Sequence, residues 1–294
     1  MDQTYSLPGL DRERLVSLLV APVGPYAALD VVPVTGSTNA DLAARVSARH
    51  ATVLATEEQK SGRGRLGRAW SAPPRTSLLC SVLLRPERVP PARWSWLPLL
   101  VGVALVEALR DTTGVALELK WPNDLLAPDG RKVAGILVER IDDALGPRAV
   151  VGFGVNVAIP SSELPTANAA SLLDLLDPDR SSPAIARTSD RTGLLASCLS
   201  NLAAWEERWE SAAGEAAVCG LDSAYRSCSA TIGAQVLVHL AGAGALQGLV
   251  LDVDPTGALV LSPTSPGGSG SEQVVLSSGE VFHLRPVLGQ DAAR

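Results

Sequence analysis

The sequence predicts an α+β protein: a central mixed β-sheet with flanking helices, followed by a small all-β, barrel-like tail. Two observations lead there. The first 160 residues mix short apolar strands, hairpin turns and helices, without the strict strand–helix alternation of a doubly wound fold. From about Ala230 the hydrophobic period changes to two, in AQVLVHL, LQGLVLDVDPTGALVLS and EQVVLSSGEVFHLR.

The elements follow in order. DRERLVSLLV reads as a short helix and LDVVPV as a strand; TGSTN is a turn that caps the helix ADLAARVSARH. ATVLAT is the next strand, then comes a glycine–arginine loop, then the strand TSLLCSVLLR. A helix is predicted from Arg93 to Arg110, ended by DTTG, where Gly114 is a natural stop. VALELKWPNDLLAPDGRKVAGILVERI reads as strand, turn, strand, turn, strand, with APDG as hairpin chemistry. RAVVGFGVNV is a further strand. Residues 160–189 are rich in Pro, Ser and Asp around one helical patch, AASLLDLL. A long helix over Thr192–Ser211 carries Trp205 and Trp209 four apart on one face, as core packing requires. In the tail DPTG is a tight turn between strands, and PTSPGGSGSE is a loop inserted between two of them. The division expected is residues 1–228 and 229–294, with no internal repeat.

Composition narrows the function classes. With 294 residues, 46% hydrophobic and 19% charged, the chain has material for a sizeable core. A net charge of −6 and a pI near 5.2 argue against a general nucleic-acid binder. Cys80, Cys198, Cys219 and Cys228 form no C-x-x-C pair and His50, His239 and His283 are scattered, so no metal-ligand cluster is visible and a reducing cytoplasm fits. The N-terminus has no secretory signature. The apolar run WLPLLVGVALVEAL is too short and interrupted to span a bilayer and reads as a buried helix.

One loop poses the chemical question. In SGRGRLGRAW, Gly62, Gly64 and Gly67 have the spacing G-x-G-x-x-G, and Glu87 lies twenty residues beyond Gly67. A dinucleotide turn must directly follow a strand and open a helix. Here EEQKS separates the loop from the strand before it, and Pro73 and Pro74 bar a helix after it. Arg63, Arg65 and Arg68 crowd the loop, and a Rossmann turn needs no such charge. A Walker A loop is excluded because no Gly-Lys-Ser/Thr follows. Local cations in an acidic chain suit a small anionic substrate or a phosphate.

Four polar segments lie beside strands: GSTN (Gly36–Asn39), QKSGRGRLGRAW (Gln59–Trp70), KWPND (Lys120–Asp124), and RKVAGIL with GVN (Arg131–Leu137 and Gly154–Asn156). Taken singly, STN is a helix N-cap, Lys132 a solvated hairpin lysine and KWPND an ordinary proline turn. In this order and spacing the set resembles the biotin protein ligase family, which attaches biotin to carboxylase carrier domains. The glycine–arginine loop and KWPND followed by RKVAGILVE are the specific matches. The resemblance is strong over Leu29–Ile159 and looser over Ala230–Arg285; residues 160–229 match in length only.

The resemblance implies a catalytic domain similar to that of class II aminoacyl-tRNA synthetases, with an SH3-like β-barrel behind it. It implies that biotin carboxylate attacks the α-phosphate of ATP, and that the biotinyl-5′-AMP formed acylates a lysine of a biotin carboxyl carrier domain, with Mg²⁺ carried mostly on phosphates. Carried over residue by residue, Arg65, Lys132 and Asp124 take catalytic roles, Asp124 orienting the carrier lysine. Ser37, Thr38, Asn39, Gln59, Arg63, Gly64, Arg65, Lys132 and Gly135 bind biotin. Trp70 packs on the purine, and Asn123, Asn156 and Arg285 lie near the nucleotide. No metal ligand is assigned. The implied protein is cytoplasmic, a monomer or homodimer, with no nucleic-acid or membrane partner.

Some members carry an N-terminal winged helix-turn-helix and repress transcription. Only about 35 residues precede STN here, so a ligase without the DNA-binding function is expected. Leu66 stands where relatives often have another basic residue. A lipoate-type ligase shares the fold and chemistry but would be expected to lack KWPND and the arginine-rich loop. A regulatory DNA-binding protein would need the missing helix-turn-helix.

Overall fold

In the computed structural model of the chain, the described residues are 7–144, 146–176, 190–240, 244–264 and 272–284. Helix α1 (Arg12–Leu19) is capped by the Asp11 side chain, which accepts from Arg14 N. Strand β1 (Ala28–Val32) leads to α2 (Thr38–Ala44), capped by Ser37. Then come β2 (Thr52–Thr56), the two-residue strands β3 (Gly62–Arg63) and β4 (Ala69–Trp70), β5 (Ser77–Leu84) and α3 (Leu97–Thr113). Strands β6 (Glu118–Lys120), β7 (Asp124–Leu126), β8 (Lys132–Asp143) and β9 (Gly146–Asn156) complete the first sheet. Helices α4 (Leu172–Leu176), α5 (Arg191–Ser211), α6 (Ala216–Cys219) and α7 (Leu221–Cys228) follow. The tail holds β10 (Gln235–Leu240), β11 (Gly244–Val253), β12 (Leu259–Pro263), β13 (Val274–Leu276) and β14 (Glu280–His283).

The seven-stranded sheet runs β1-β2-β5-β9-β8-β7-β6, with β1 and β2 parallel and the remaining pairs antiparallel. Residues two apart share a face. Leu78, Cys80 and Val82 of β5 and Val151, Phe153 and Val155 of β9 point into the main core with α3 and α5. The opposite face carries α2 over Leu54, Leu83 and Val150, and beyond α2 it is floored by Gly135, Gly152 and Gly154. That glycine-floored stretch is where a ligand can lie close to the sheet.

Three sequence expectations are corrected. Among the described residues the tail is an open five-stranded antiparallel sheet, β13-β12-β11-β10-β14, and not a closed barrel, because its terminal strands β13 and β14 do not pair with each other. Helix α2 stops at Ala44 instead of running to His50: the buried Arg148 guanidinium donates to the carbonyls of Ala43 (2.8 Å) and Arg45 (3.1 Å), ending the helix there. The stretch Pro91–Thr113 is in fact long and apolar enough to cross a membrane by length and composition. With 72% of its most apolar window buried, it is the core helix preceded by a 3₁₀ turn. Gly114 ends it in the left-handed region, φ 79°. The expected loop at 263–272 and the Pro/Ser-rich stretch at 160–189 fall partly outside the described residues, and Arg285 wholly so.

The small sheet is seated on the large one by specific bonds. Trp96 Nε1 donates to Pro255 O (2.9 Å) and Trp121 Nε1 to Gly257 O (3.1 Å), both in the DPTG turn. Trp121 N donates to Thr231 Oγ1 (3.0 Å), and Ala230 N donates to Leu119 O (2.8 Å). These bonds bring β14 alongside the KWPND turn.

Candidate active site

A cleft of about 1030 Å³ opens on the glycine-floored face. Its neutral end is built from the start of α2 and the end of β2. Ser37 caps α2, while Thr38 and Asn39 are buried in its first turn. Gln59 Oε1 accepts from Thr38 N (2.8 Å) and Thr38 Oγ1 (3.1 Å), which fixes the Gln59 amide. Ser81, fully buried on β5, places its hydroxyl oxygen 2.7 Å from Thr38 Oγ1 and 2.6 Å from Asn39 Oδ1. Asn39 Nδ2 donates to Glu139 Oε2 (2.8 Å) and Leu137 O (3.2 Å).

The floor admits no side chain. A Cβ on Gly152 would lie 2.0 Å from Asn39 Oδ1, and one on Gly154 would lie 2.5 Å from the Trp70 indole. On Gly135 it would lie 2.9 Å from the same indole and 3.2 Å from Lys132 Nζ. Trp70 therefore rests on the floor of the slot itself, between the neutral and the charged ends. Its Nε1 is buried and has no hydrogen-bond partner among the described residues.

The charged end gathers Arg63, Arg65, Lys120 and Lys132. Lys132 Nζ lies 2.6 Å from Asp124 Oδ1 and 5.6 Å from the Trp70 ring centroid. Arg65 Nη1 donates to Asn123 Oδ1 (3.2 Å), and Asn123 Nδ2 donates to Ile136 O (2.8 Å). Burial draws the Arg65 pKa down, with Asp124 opposing. Burial likewise lowers Lys120, whose Nζ sits 5.6 Å over the Phe282 ring of β14. The loop between β3 and β4 turns through Leu66 (φ 57°) and Gly67 (φ 73°), and Arg68 reaches out of it to pair with Glu280. This small hairpin was not legible in the sequence.

The cleft thus unites Ser37, Thr38, Asn39, Gln59, Arg63, Gly64, Arg65, Trp70, Asn123, Asp124, Lys132 and Gly135. Asn156 stands apart: it is buried and donates to Ala170 O (3.1 Å). That holds the segment whose backbone brackets Lys132, through Lys132 N to Asn168 O (2.6 Å) and Ala170 N to Lys132 O (2.8 Å). The structure adds Ser81, Glu139, Lys120, Gly152, Gly154 and the β14 residues Glu280 and Phe282. Two signals could have found some of them: a lone serine inside the apolar run SLLCSVLL, and glycines alternating within the strand VVGFGVNV, which mark a close approach. The described residues hold no group of three or more His, Cys, Asp or Glu suited to a metal ion; of the cleft carboxylates Glu118, Asp124, Asp129 and Glu280, the last three are engaged by Lys132, Arg131 and Arg68. That donor set does not fit a resident divalent ion.

Residues 31–156 match the Biotin/lipoate A/B protein ligase family, and residues 231–284 match the Biotin protein ligase C terminal domain. The Biotin--[acetyl-CoA-carboxylase] ligase of Mycobacterium tuberculosis is 37% identical over 290 residues, covering 97% of this chain and 99% of that protein. The ligase of the same name from Paracoccus denitrificans is 33% identical over 84% of this chain and 97% of its own. Among solved structures, the biotin protein ligase from Aquifex aeolicus in complex with biotin and ATP shares the fold, with a TM-score of 0.70 and 24% identity over 88% of this chain and 100% of that one. A third of the residues shared along nearly the full length, on a fold with this cleft, places the chain in the biotin protein ligase family.

Proposed function

We propose that this chain activates biotin with ATP as biotinyl-5′-AMP and transfers the biotinyl group to a lysine of a biotin carboxyl carrier domain, such as that of acetyl-CoA carboxylase. The observation that carries the reading is the single cleft with a neutral hydrogen-bonding end at Thr38 and Gln59, a glycine floor, and a cationic end at Arg63, Arg65 and Lys132. An uncharged ureido ring suits the first, an aliphatic chain the second, and a carboxylate meeting a triphosphate the third.

In the first step a carboxylate oxygen bonds to the α-phosphorus and the bond to the β-phosphate oxygen breaks, releasing pyrophosphate. Both reactants are anionic, so fixed cations lower the barrier most. Lys132, held over the slot by Asp124 and bracketed by the 168–170 backbone, is placed for the reacting carboxylate or α-phosphate. Arg65 clamps the adenylate phosphate from the loop side. Trp70 swings from the slot floor as biotin enters and packs against the purine, with Asn123 beside it. In the second step the carrier amine attacks the acyl carbonyl and AMP leaves. Asp124, exchanging Lys132 for the incoming lysine, orients that amine. Arg285 supports the nucleotide side, and Asn156 acts on the site from outside the cleft, by holding the 168–170 segment beside Lys132. A Mg²⁺ ion, where the reaction uses one, would be held through the triphosphate oxygens and would add positive charge beside Arg65 and Lys132.

Residues 1–228 form the catalytic part and 229–294 the C-terminal part. Four free cysteines support placement in the reducing cytoplasm. The test is pyrophosphate exchange into ATP with biotin and then with lipoate, followed by labelling of a purified carrier domain. Exchange with biotin and carrier labelling are expected; exchange with lipoate alone overturns the substrate.

A further inference from the structure

Ser81 belongs to no motif that carried the functional reading, yet it touches two residues that did. We infer that Ser81 is a positioning residue that fixes Thr38 as a hydrogen-bond acceptor toward the substrate, and so selects a ring N–H at that point. The inference rests on the biotin-ligase reading and adds to it a determinant of specificity.

The argument follows the hydrogens. Asn39 Nδ2 faces Glu139 Oε2 (2.8 Å) and Leu137 O (3.2 Å), a carboxylate and a carbonyl that can only accept. The amide orientation of Asn39 is therefore settled, and its Oδ1, also acceptor-only, faces Ser81 Oγ at 2.6 Å. The single Ser81 hydrogen must serve that contact. The second contact of Ser81 Oγ, 2.7 Å to Thr38 Oγ1, then takes its hydrogen from Thr38. The other acceptor in reach of that hydrogen is Gln59 Oε1, at a longer 3.1 Å and already accepting from Thr38 N. On either choice the Thr38 hydrogen is spent inside the protein, and only lone pairs face the cleft. Ser81 supplies the shorter and less shared acceptor, so it holds this arrangement.

The fold guards the relay. Ser81 is fully buried and lies opposite Gly152 in the β5–β9 register. A Cβ on Gly152 would come within 2.0 Å of Asn39 Oδ1, so only glycine lets Asn39 reach Ser81. No water competes for a hydroxyl sealed between α2 and the sheet, which makes its polarity a fixed property of the site.

The test is Ser81→Ala in the full chain, assayed by biotin-dependent pyrophosphate exchange. Substrates are biotin and two cyclic carbamates, in each of which one ring N–H is replaced by oxygen. The biotin KM is expected to rise roughly 10-fold, on the scale of one hydrogen bond between uncharged partners, with kcat and the ATP KM within two-fold. Wild type should reject the carbamate whose oxygen faces Thr38, and Ser81→Ala should relax that rejection in part, because the Thr38 hydrogen then keeps only its longer, shared contact with Gln59 Oε1 and can turn toward the substrate. Ser81→Cys, which keeps the bulk and weakens the donor, should fall between the two and decides the matter if the alanine variant does not fold. An unchanged biotin KM and unchanged discrimination in a folded variant overturn the relay. Wild-type protein that does not exchange with biotin at all would instead overturn the functional reading beneath it.

Discussion

Replacing Arg65 with glycine tests the glycine–arginine loop as a phosphate clamp. Arg65 is half-buried, and its guanidinium crosses the mouth of the cleft to Asn123 Oδ1 at 3.2 Å. The loop itself is thinly held. Its hairpin has two paired residues a side, closed by Gly64 N to Arg68 O (2.7 Å) and Arg68 N to Arg65 O (3.2 Å). Glycine would remove the tether to Asn123, the charge facing the adenylate phosphate, and some backbone stiffness. A hydrogen bond to a charged group contributes about 1.5–3 kcal/mol, which predicts escape of the adenylate faster by roughly 10- to 150-fold. Adenylate formation should survive in part, because Lys132 and Arg63 remain in the cleft. A reactive mixed anhydride released into solution acylates any accessible lysine. The Arg65→Gly protein is therefore expected to biotinylate itself and added serum albumin, read on a streptavidin blot with ATP, biotin and no carrier. Bystander labelling no greater than wild type, while adenylate is still being formed, would refute the clamp.

Lys132→Ala should cut biotin-dependent pyrophosphate exchange by roughly 30- to 1000-fold, the about 2–4 kcal/mol scale of a lost transition-state donor. Its solvent-open ion pair with Asp124, 37% and 22% exposed, contributes about 1 kcal/mol or less to folding, so the thermal midpoint should move little; near-normal exchange restores the solvated-lysine reading. Glu57→Ala leaves Arg191, 1% exposed, without its 2.6 Å partner, and should cost about 3–5 kcal/mol in urea denaturation; a loss under about 1 kcal/mol would show the pair to be dispensable. Burial pushes Glu206 up to about 7, and His50, 3.9 Å away, is itself lowered by burial. Between the ordinary glutamate range and pH 7 the folded state keeps a proton that the unfolded chain has released, so stability falls as pH rises through that window and levels off above it. Glu206→Gln should remove the fall, gaining up to about 3 kcal/mol at pH 8 and nothing at pH 4; parallel wild-type and variant pH profiles would exclude the effect.

What the sequence made legible was local. Gly114 ending α3, the APDG hairpin between β7 and β8, and the Ser37 cap all act within a few residues of themselves, and all three stand as read. The site motifs were legible because they are contiguous: KWPND and RKVAGIL sit on adjacent antiparallel strands, so Asp124 and Lys132 meet across one hairpin. What failed to show depends on partners far along the chain. The end of α2 is set by Arg148, a hundred residues later. The open edge of the tail sheet depends on β13 and β14 not closing on each other. Ser81 gains its role from standing opposite Gly152, a register that no periodicity within either strand encodes.

Trp70 carries the same lesson into the chemistry. The family resemblance implied a purine partner for it, whereas its indole lies on Gly135 and Gly154, the floor assigned to the other substrate. The two placements are compatible only if the ring moves, and the structure supplies a reason for it to do so. A buried indole N–H without a partner is costly by about 1–3 kcal/mol. Displacement of the ring returns that group to solvent or to a ligand acceptor and frees both glycines at once. Lys132 lies 5.6 Å from the ring centroid and is held separately, by its 2.6 Å pair with Asp124. On the function proposed above, entry of biotin would then clear the floor and turn the indole toward the side where the purine is placed. On that proposal, biotin would precede the nucleotide, because the side chain proposed to hold the second ligand rests on the floor proposed for the first.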